Sequence, residues 1–180
     1  MDKRAISNHI VSMHLYWVAG AGLIPLPLSD VAAITAIQLD MLKQVASTYE
    51  VDYEEGQGKL WISAFVQNAL ISTGTEVFKI VPVVGGLLKR IAIASLAAAT
   101  TYAVGHVFIY HFEKGGTFKD FKVEHYIDFF KEQLAKGSTL LEEWGKGTME
   151  LRLRGLEVLH NQGAISDETF EQLKTELGIS

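Results

Sequence analysis

The chain has 180 residues, 48% of them hydrophobic, and a net charge of −5 from 16 basic and 21 acidic side chains. That length supports one domain with a real core plus a small appendage, and the acidic balance argues against a nucleic-acid partner, which would call for a basic patch. The absence of cysteine excludes disulfides and thiolate metal sites.

Residues 3–22 predict a first helix, broken by Pro25 and Pro27. Lys3 and Arg4 precede its apolar run, as in a signal peptide. The run ends in Leu26-Pro27-Leu28-Ser29 without a small-x-small cleavage site, so it reads as part of the mature fold. Ser29 or Asp30 can cap a second helix. Ile34, Ile37, Met41 and Val45 share one face of it, and Asp40, Lys43, Gln44 and Ser47 form a narrow polar strip. A helix apolar over most of its circumference belongs in a core or in lipid. A third helix is expected from about Lys59 to Ile80, a bend at Pro82 and Gly85-Gly86, and a fourth helix to about Phe112. Little period-two alternation occurs, so the expected fold class is all-α: a helical bundle with a hydrophobic helical hairpin and a small C-terminal helical hairpin.

Charge density rises at Glu113-Lys114-Gly115-Gly116. Residues 1–112 hold seven basic and eight acidic residues, and residues 113–180 hold nine and thirteen. This shift suggests a hydrophobic domain over 1–112, charged connecting helices over 113–147 and a helical hairpin over 148–180. Thr117 and Asp120 resemble a capping box with Asp in place of Glu. Val123, Ile127, Phe130 and Leu134 form a helical stripe that Gly137-Ser138 is expected to end. Gly145 and Gly147 interrupt the next helix around Trp144. The last two helices are expected over Thr148–Asn161 and Ser166–Leu177.

The mean hydropathy of +0.17 is high for a soluble chain. Residues 91–112 contain no Asp, Glu, Lys or Arg, and a spanning helix needs about 20 apolar residues. Small residues recur at spacing four (Ala94 and Ala98, Ser95 and Ala99, Ala99 and Ala103), which suits close helix packing in a membrane or a tight bundle. Residues 60–112 are therefore expected to form a hairpin in or on a membrane; a buried core in a soluble protein is the alternative. Basic residues flank the 91–112 run on both sides, which leaves its orientation open.

The stretch from Gly22 to Met41, followed by Ala46-Ser-Thr-Tyr49, resembles a bacterial family, the YcjF-like domain that often accompanies Era-like GTPases. Ile24, Pro25, Pro27, Asp30, Gln38, Met41 and Tyr49 carry the resemblance, which covers about residues 5–112. The family often has glycine after the tyrosine, where this chain has Glu50. The resemblance implies membrane association and partnership with a GTPase, without an established activity. Over Leu153–Leu177, Leu156, Leu159, Gly163, Ile165, Ser166, Phe170 and Lys174 resemble the short helical module called SHOCT, which implies interaction or oligomerisation. So short a hairpin needs a surface to pack on.

Chemistry is sparse. Gly85-Gly-Leu-Leu-Lys-Arg90 lacks the spacing of a phosphate loop, so a GTPase would be another chain. His9 and His14, like His106 and His111, are five apart, whereas one helix face needs three or four. A metal site would require convergence from several helices, and interfacial or core histidine is the simpler reading. Asp30 reads as a cap, with an intramembrane functional carboxylate as the sharper alternative. Gln38 and Asn68 are expected to hydrogen-bond across helices. Trp17, Trp61 and Tyr110 fit either a membrane interface or the core. Glu142 and Glu143 read as a solvated face. No nucleophile–base pair stands out, so no catalytic, cofactor or metal residues are expected.

These residues suggest a non-enzymatic helical protein of the bacterial cytoplasmic membrane, or a cytoplasmic one associated with it, that contacts membrane lipid, oligomerises and works with a GTPase in trans. Its interaction candidates are Pro25, Pro27, Asp30, Gln38, Met41, Tyr49, Leu159, Ile165 and Phe170. The alternatives are a small channel, with Gln38, Asn68, Thr100 and Thr101 lining a path, and a soluble shell-like oligomer.

Overall fold

The computed structural model describes residues 2–21, 29–72, 87–143 and 148–178. They form seven α-helices: α1 (Lys3–Ala21), α2 (Ser29–Thr48), α3 (Glu55–Ser72), α4 (Leu87–Glu113), α5 (Ile127–Glu143), α6 (Thr148–Asn161) and α7 (Asp167–Glu176). A 3-10 turn at Val123–His125 precedes α5. No strand occurs among the described residues, in agreement with the all-α expectation.

Helix α1 starts at Asp2, whose carboxylate accepts from the amides of Arg4 and Ala5 at 2.9 and 3.3 Å. Such a cap satisfies amides that have no partner inside the helix. Val11, His14, Leu15, Val18 and Ala19 recur at helical spacing on its buried face. On α2, Gln38, Met41, Leu42, Val45 and Ala46 are buried, while Lys43, Gln44 and Ser47 face water.

The charge-free run expected to seek lipid forms most of α4, the central post of the bundle. It packs against α1, α2, α3 and α5. From Ala94 to Phe112 none of its residues is exposed. Surrounding helices supply the shelter that the sequence reading sought in a bilayer, and no helix among the described residues is long and apolar enough to cross a membrane. The bend expected at Pro82–Gly86 lies outside the described residues.

The charge step at Glu113 does not coincide with a break in packing. One hydrophobic cluster runs from Val11 through Phe108 to Phe118, Phe121, Phe130 and Leu134. Aromatic rings tie the connector into it: Phe121 stacks on Phe108 at 4.5 Å and on Tyr126 at 4.8 Å, and Phe65 stacks on Phe130 at 4.6 Å.

Two local expectations need correction. Thr117 and Asp120 do pair, the Thr117 amide donating to the Asp120 carboxylate at 2.7 Å, but they close a turn and begin no α-helix. Helix α5 starts at Ile127. Nor does Gly137-Ser138 end that helix. Gly137 is buried inside α5, and a Cβ there would lie 3.2 Å from the Ala99 carbonyl oxygen. The glycine serves close approach to α4.

Helices α6 and α7 form a hairpin with its own small core of Leu156, Leu159, Ile165, Leu173 and Leu177. Ser166 caps α7, accepting from the Thr169 amide at 3.2 Å. Helix α6 packs along α1, and Ala21 and Ile37 join the small core. The surface that so short a hairpin requires is thus supplied within the chain.

Candidate functional site

Three seams of polar contact hold the central helices in register. In the first, His14 on α1 is buried, with Nδ1 2.7 Å from the Ile10 carbonyl and Nε2 3.1 Å from the Asp40 carboxylate on α2. Asp40 also accepts from Gln44 at 2.7 Å. In the second, Gln38 is buried and donates to Thr101 on α4 at 2.9 Å, while Thr101 donates to the Ala97 carbonyl at 2.8 Å. The third is a corner at the end of α4. There His111 lies between the Tyr126 hydroxyl and the Thr117 carbonyl, each at 2.8 Å. A neutral ring with its proton on Nε2 satisfies both partners, since the carbonyl can only accept and the tyrosine can donate to Nδ1.

Gln38 makes the cross-helix bond expected of it. Asn68 does not: its amide donates to the Ala64 carbonyl of its own helix at 2.9 Å. Thr100 likewise donates to the Leu96 carbonyl at 2.8 Å. Gln38, Thr100 and Thr101 are buried in the core, so these residues line no shared path among the described residues.

The interaction candidates separate into three groups. Pro25 and Pro27 lie outside the described residues; Asp30 falls in the first turn of α2, its side chain outside the description. Gln38 and Met41 are buried against α4, and Tyr49 sits half-buried at the rim. Leu159 and Ile165 lie in the small core of the α6–α7 hairpin. Phe170 packs at its edge, stacked on His160 at 4.5 Å and covered by Lys174. Of these, Gln38, Met41, Leu159 and Ile165 are buried and pack within the fold.

Tyr49 closes α2 against the end of α4. Its hydroxyl donates to Glu113 at 3.4 Å, and its ring packs on Phe112. Burial, and then the Glu113 charge, push its pKa up. The next residue, Glu50, has φ +61. The Val51 amide donates to the Ala46 carbonyl at 2.9 Å and the Glu50 amide to Ser47 at 3.1 Å. This is the left-handed helix terminus usually built on glycine, as Gly115 (φ 81) and Gly163 (φ 70) do after α4 and α6. The geometry explains why glycine suits the position after the tyrosine.

The paired histidines do not act as pairs. His9 is exposed, His14 is buried, His106 stacks on Tyr102 at 4.2 Å and His111 turns to the connector. Among the described residues no three His, Asp or Glu side chains converge on one point. Sequence spacing did not reveal the Asp40 partner of His14 or the cleft around His106. Each is built from residues far apart in the chain, on helices whose relative rotation the pattern leaves free.

A relative, Magnetosome membrane protein 22 of Magnetospirillum gryphiswaldense, is 27% identical over 145 residues, covering 78% of this chain and 74% of its own length. No solved structure matches. A family described as a domain of unknown function, DUF697, matches residues 3–138, from the start of α1 into α5 and therefore across the whole main core. The chain belongs to the DUF697 family, the YcjF-like group that its α1–α2 residues resemble.

Proposed function

We propose that this chain is a non-catalytic, membrane-associated helical scaffold of bacteria that assembles with copies of itself and with a GTPase in trans. The observation that carries the membrane part is the outer face of α3. Among the described residues, Leu60 and Ile71 are the large apolar side chains left exposed, at 57% and 78%. They lie eleven positions apart, which returns them to one helical face, where the exposed Ser63 and Gln67 lie between them. Beyond α3 the sequence continues Val77-Phe-Lys-Ile-Val-Pro-Val-Val84, an apolar run with a single lysine. Similarity to a magnetosome membrane protein supports the same reading. The main core is closed by the chain's own helices, so attachment runs through the outer face of α3 and the apolar sequence after it, and not through α4.

Partnership with a GTPase is supported by the family resemblance of the α1–α2 residues. Self-association is supported by the resemblance of residues 153–177 to the SHOCT module and by the exposed Leu60 and Ile71 of α3.

Fractionation of cells tests the membrane part. The chain is expected to sediment with membranes, and an alkaline carbonate wash then separates a surface-held arm from an inserted one. Recovery of the whole population in the supernatant before the wash contradicts the proposal. Capture of the full chain from its native host, followed by native mass measurement, should recover an oligomer with a GTPase. A monomer alone contradicts the assembly part.

A further inference from the structure

A cleft of about 430 Å³ opens between α1, α4 and α5, lined among others by Arg4, His106, Glu113, Lys114, Gln133 and Lys136. Small-molecule sites begin at about 300 Å³. The cleft places three cations against one carboxylate in a chain of net charge −5. Glu132 pairs with Lys136 at 2.6 Å but does not line the cleft. Arg4 reaches Glu113 at 3.6 Å, with its own side chain 63% exposed. Exposed pairs of this kind hold little free energy, so the cations can turn to a stronger anion.

Two uncharged groups point to a ligand independently of the charge. Gln133 is only 6% exposed, yet its amide has no hydrogen-bond partner among the described residues. Its amide lies on the cleft wall and is not sealed from solvent, so its hydrogen-bonding groups are available to a molecule in the cleft. His106 also lines the cleft, with no hydrogen bond among the described residues and its ring resting on Tyr102. Burial, and then the charges of Arg4 and Lys136, lower its pKa to about 4. At neutral pH it is an uncharged ring able to donate one hydrogen bond, in the positive field that an anion would also feel.

We propose that this cleft binds a phosphoryl group, held by Arg4, Lys114 and Lys136 and hydrogen-bonded by Gln133 and His106. Counting Glu132, the partner of Lys136, the cations keep a surplus of one positive charge, of the sign that a phosphate monoester requires. Guanidinium and ammonium groups are the usual partners of phosphate oxygens. A shallow groove of Ala135, Thr139 and Leu140, with Glu132 at its side, adjoins the cleft through Tyr102 and Lys136. It would accept an apolar extension of the ligand. The phosphoryl group therefore belongs to a soluble phosphoester or to the headgroup of an anionic phospholipid.

The test titrates the full chain with inorganic pyrophosphate by calorimetry. In parallel it sediments the chain with phosphatidylglycerol vesicles and with phosphatidylcholine vesicles. The expected result is binding that falls at least about tenfold in the Arg4→Gln/Lys136→Gln double variant and about fivefold in Gln133→Leu. Both variants should keep wild-type circular dichroism, because the first alters exposed groups and the second keeps an apolar-compatible size. The His106 ring resonances should shift on saturation. Pyrophosphate binding with these losses assigns the site to a soluble phosphoester. Losses seen only with phosphatidylglycerol vesicles assign it to a lipid headgroup. Absence of binding to both probes overturns the proposal. So does binding that the variants leave unchanged; vesicle binding of that kind would leave the membrane reading standing.

Discussion

At the scale of single residues, backbone geometry and local charge set the sharpest expectations. Glu50 holds a left-handed conformation that costs an L-residue roughly 1–2 kcal/mol. Its ion pair with Lys3 at 3.0 Å returns little, since the Glu50 side chain is 83% exposed. Glu50→Gly should therefore raise stability by about 1 kcal/mol in chemical denaturation, net of the entropy that glycine adds to the unfolded chain. His106 gives a pH dependence. Its pKa falls from 6.5 to about 4 on folding, mainly by burial and then through Arg4 and Lys136. Between these values the unfolded chain binds a proton that the folded chain refuses, so stability falls as pH drops through that window. His106→Gln should flatten this loss, by no more than about 3 kcal/mol at its lower end. Denaturation curves of both proteins at several pH values provide the comparison.

At the scale of elements, the glycines divide by what lies above them. A Cβ on Gly105 of α4 would meet Val11 of α1 at 2.5 Å, so the two helices approach over that position. Gly105→Ala should destabilise by about 1–3 kcal/mol despite its better helix propensity. Gly56 of α3 has nothing within 4 Å, and Gly56→Ala should stabilise by up to about 1 kcal/mol. Thermal unfolding of the pair separates packing from propensity. The same division explains which elements the sequence revealed. Helices α1, α2 and α6 were legible because prolines, capping residues or Gly163 bracket them. Gly137 misled because a glycine that admits a neighbouring helix has the same sequence signature as one that stops its own. The Thr117–Asp120 pair misled because a capping box and a side-chain-closed turn share the same first bonds. Of the polar residues, Gln38 was legible as a cross-helix donor, whereas the cleft was not. Its wall draws on residue 4, residues 106–114 and residues 133–136, and only the packed rotation of α1, α4 and α5 brings these together.

At the scale of the molecule, hydrophobic content alone did not distinguish lipid from protein as the environment of α4. Among the described residues, 94–112 are buried against four helices of the same chain, so the central post has its shelter within the bundle, and the proposed attachment rests on α3 and the apolar sequence after it. The charge step at Glu113 likewise reports solvent exposure along α5 to α7, since the aromatic core continues through Phe118, Phe121 and Phe130. A closed bundle with exposed apolar side chains on α3 differs from an embedded hairpin in a direct way: removing the Leu60 and Ile71 side chains should abolish attachment and leave the fold intact. Density-gradient flotation of the full chain with vesicles of bacterial phospholipid, compared with the Leu60→Ser/Ile71→Ser variant, measures this. The account predicts that the wild-type chain rises with the vesicles, while the variant stays at the bottom with an unchanged helical spectrum. A wild-type chain that remains at the bottom as a monodisperse monomer would contradict it, and so would a variant that floats as well as the wild type.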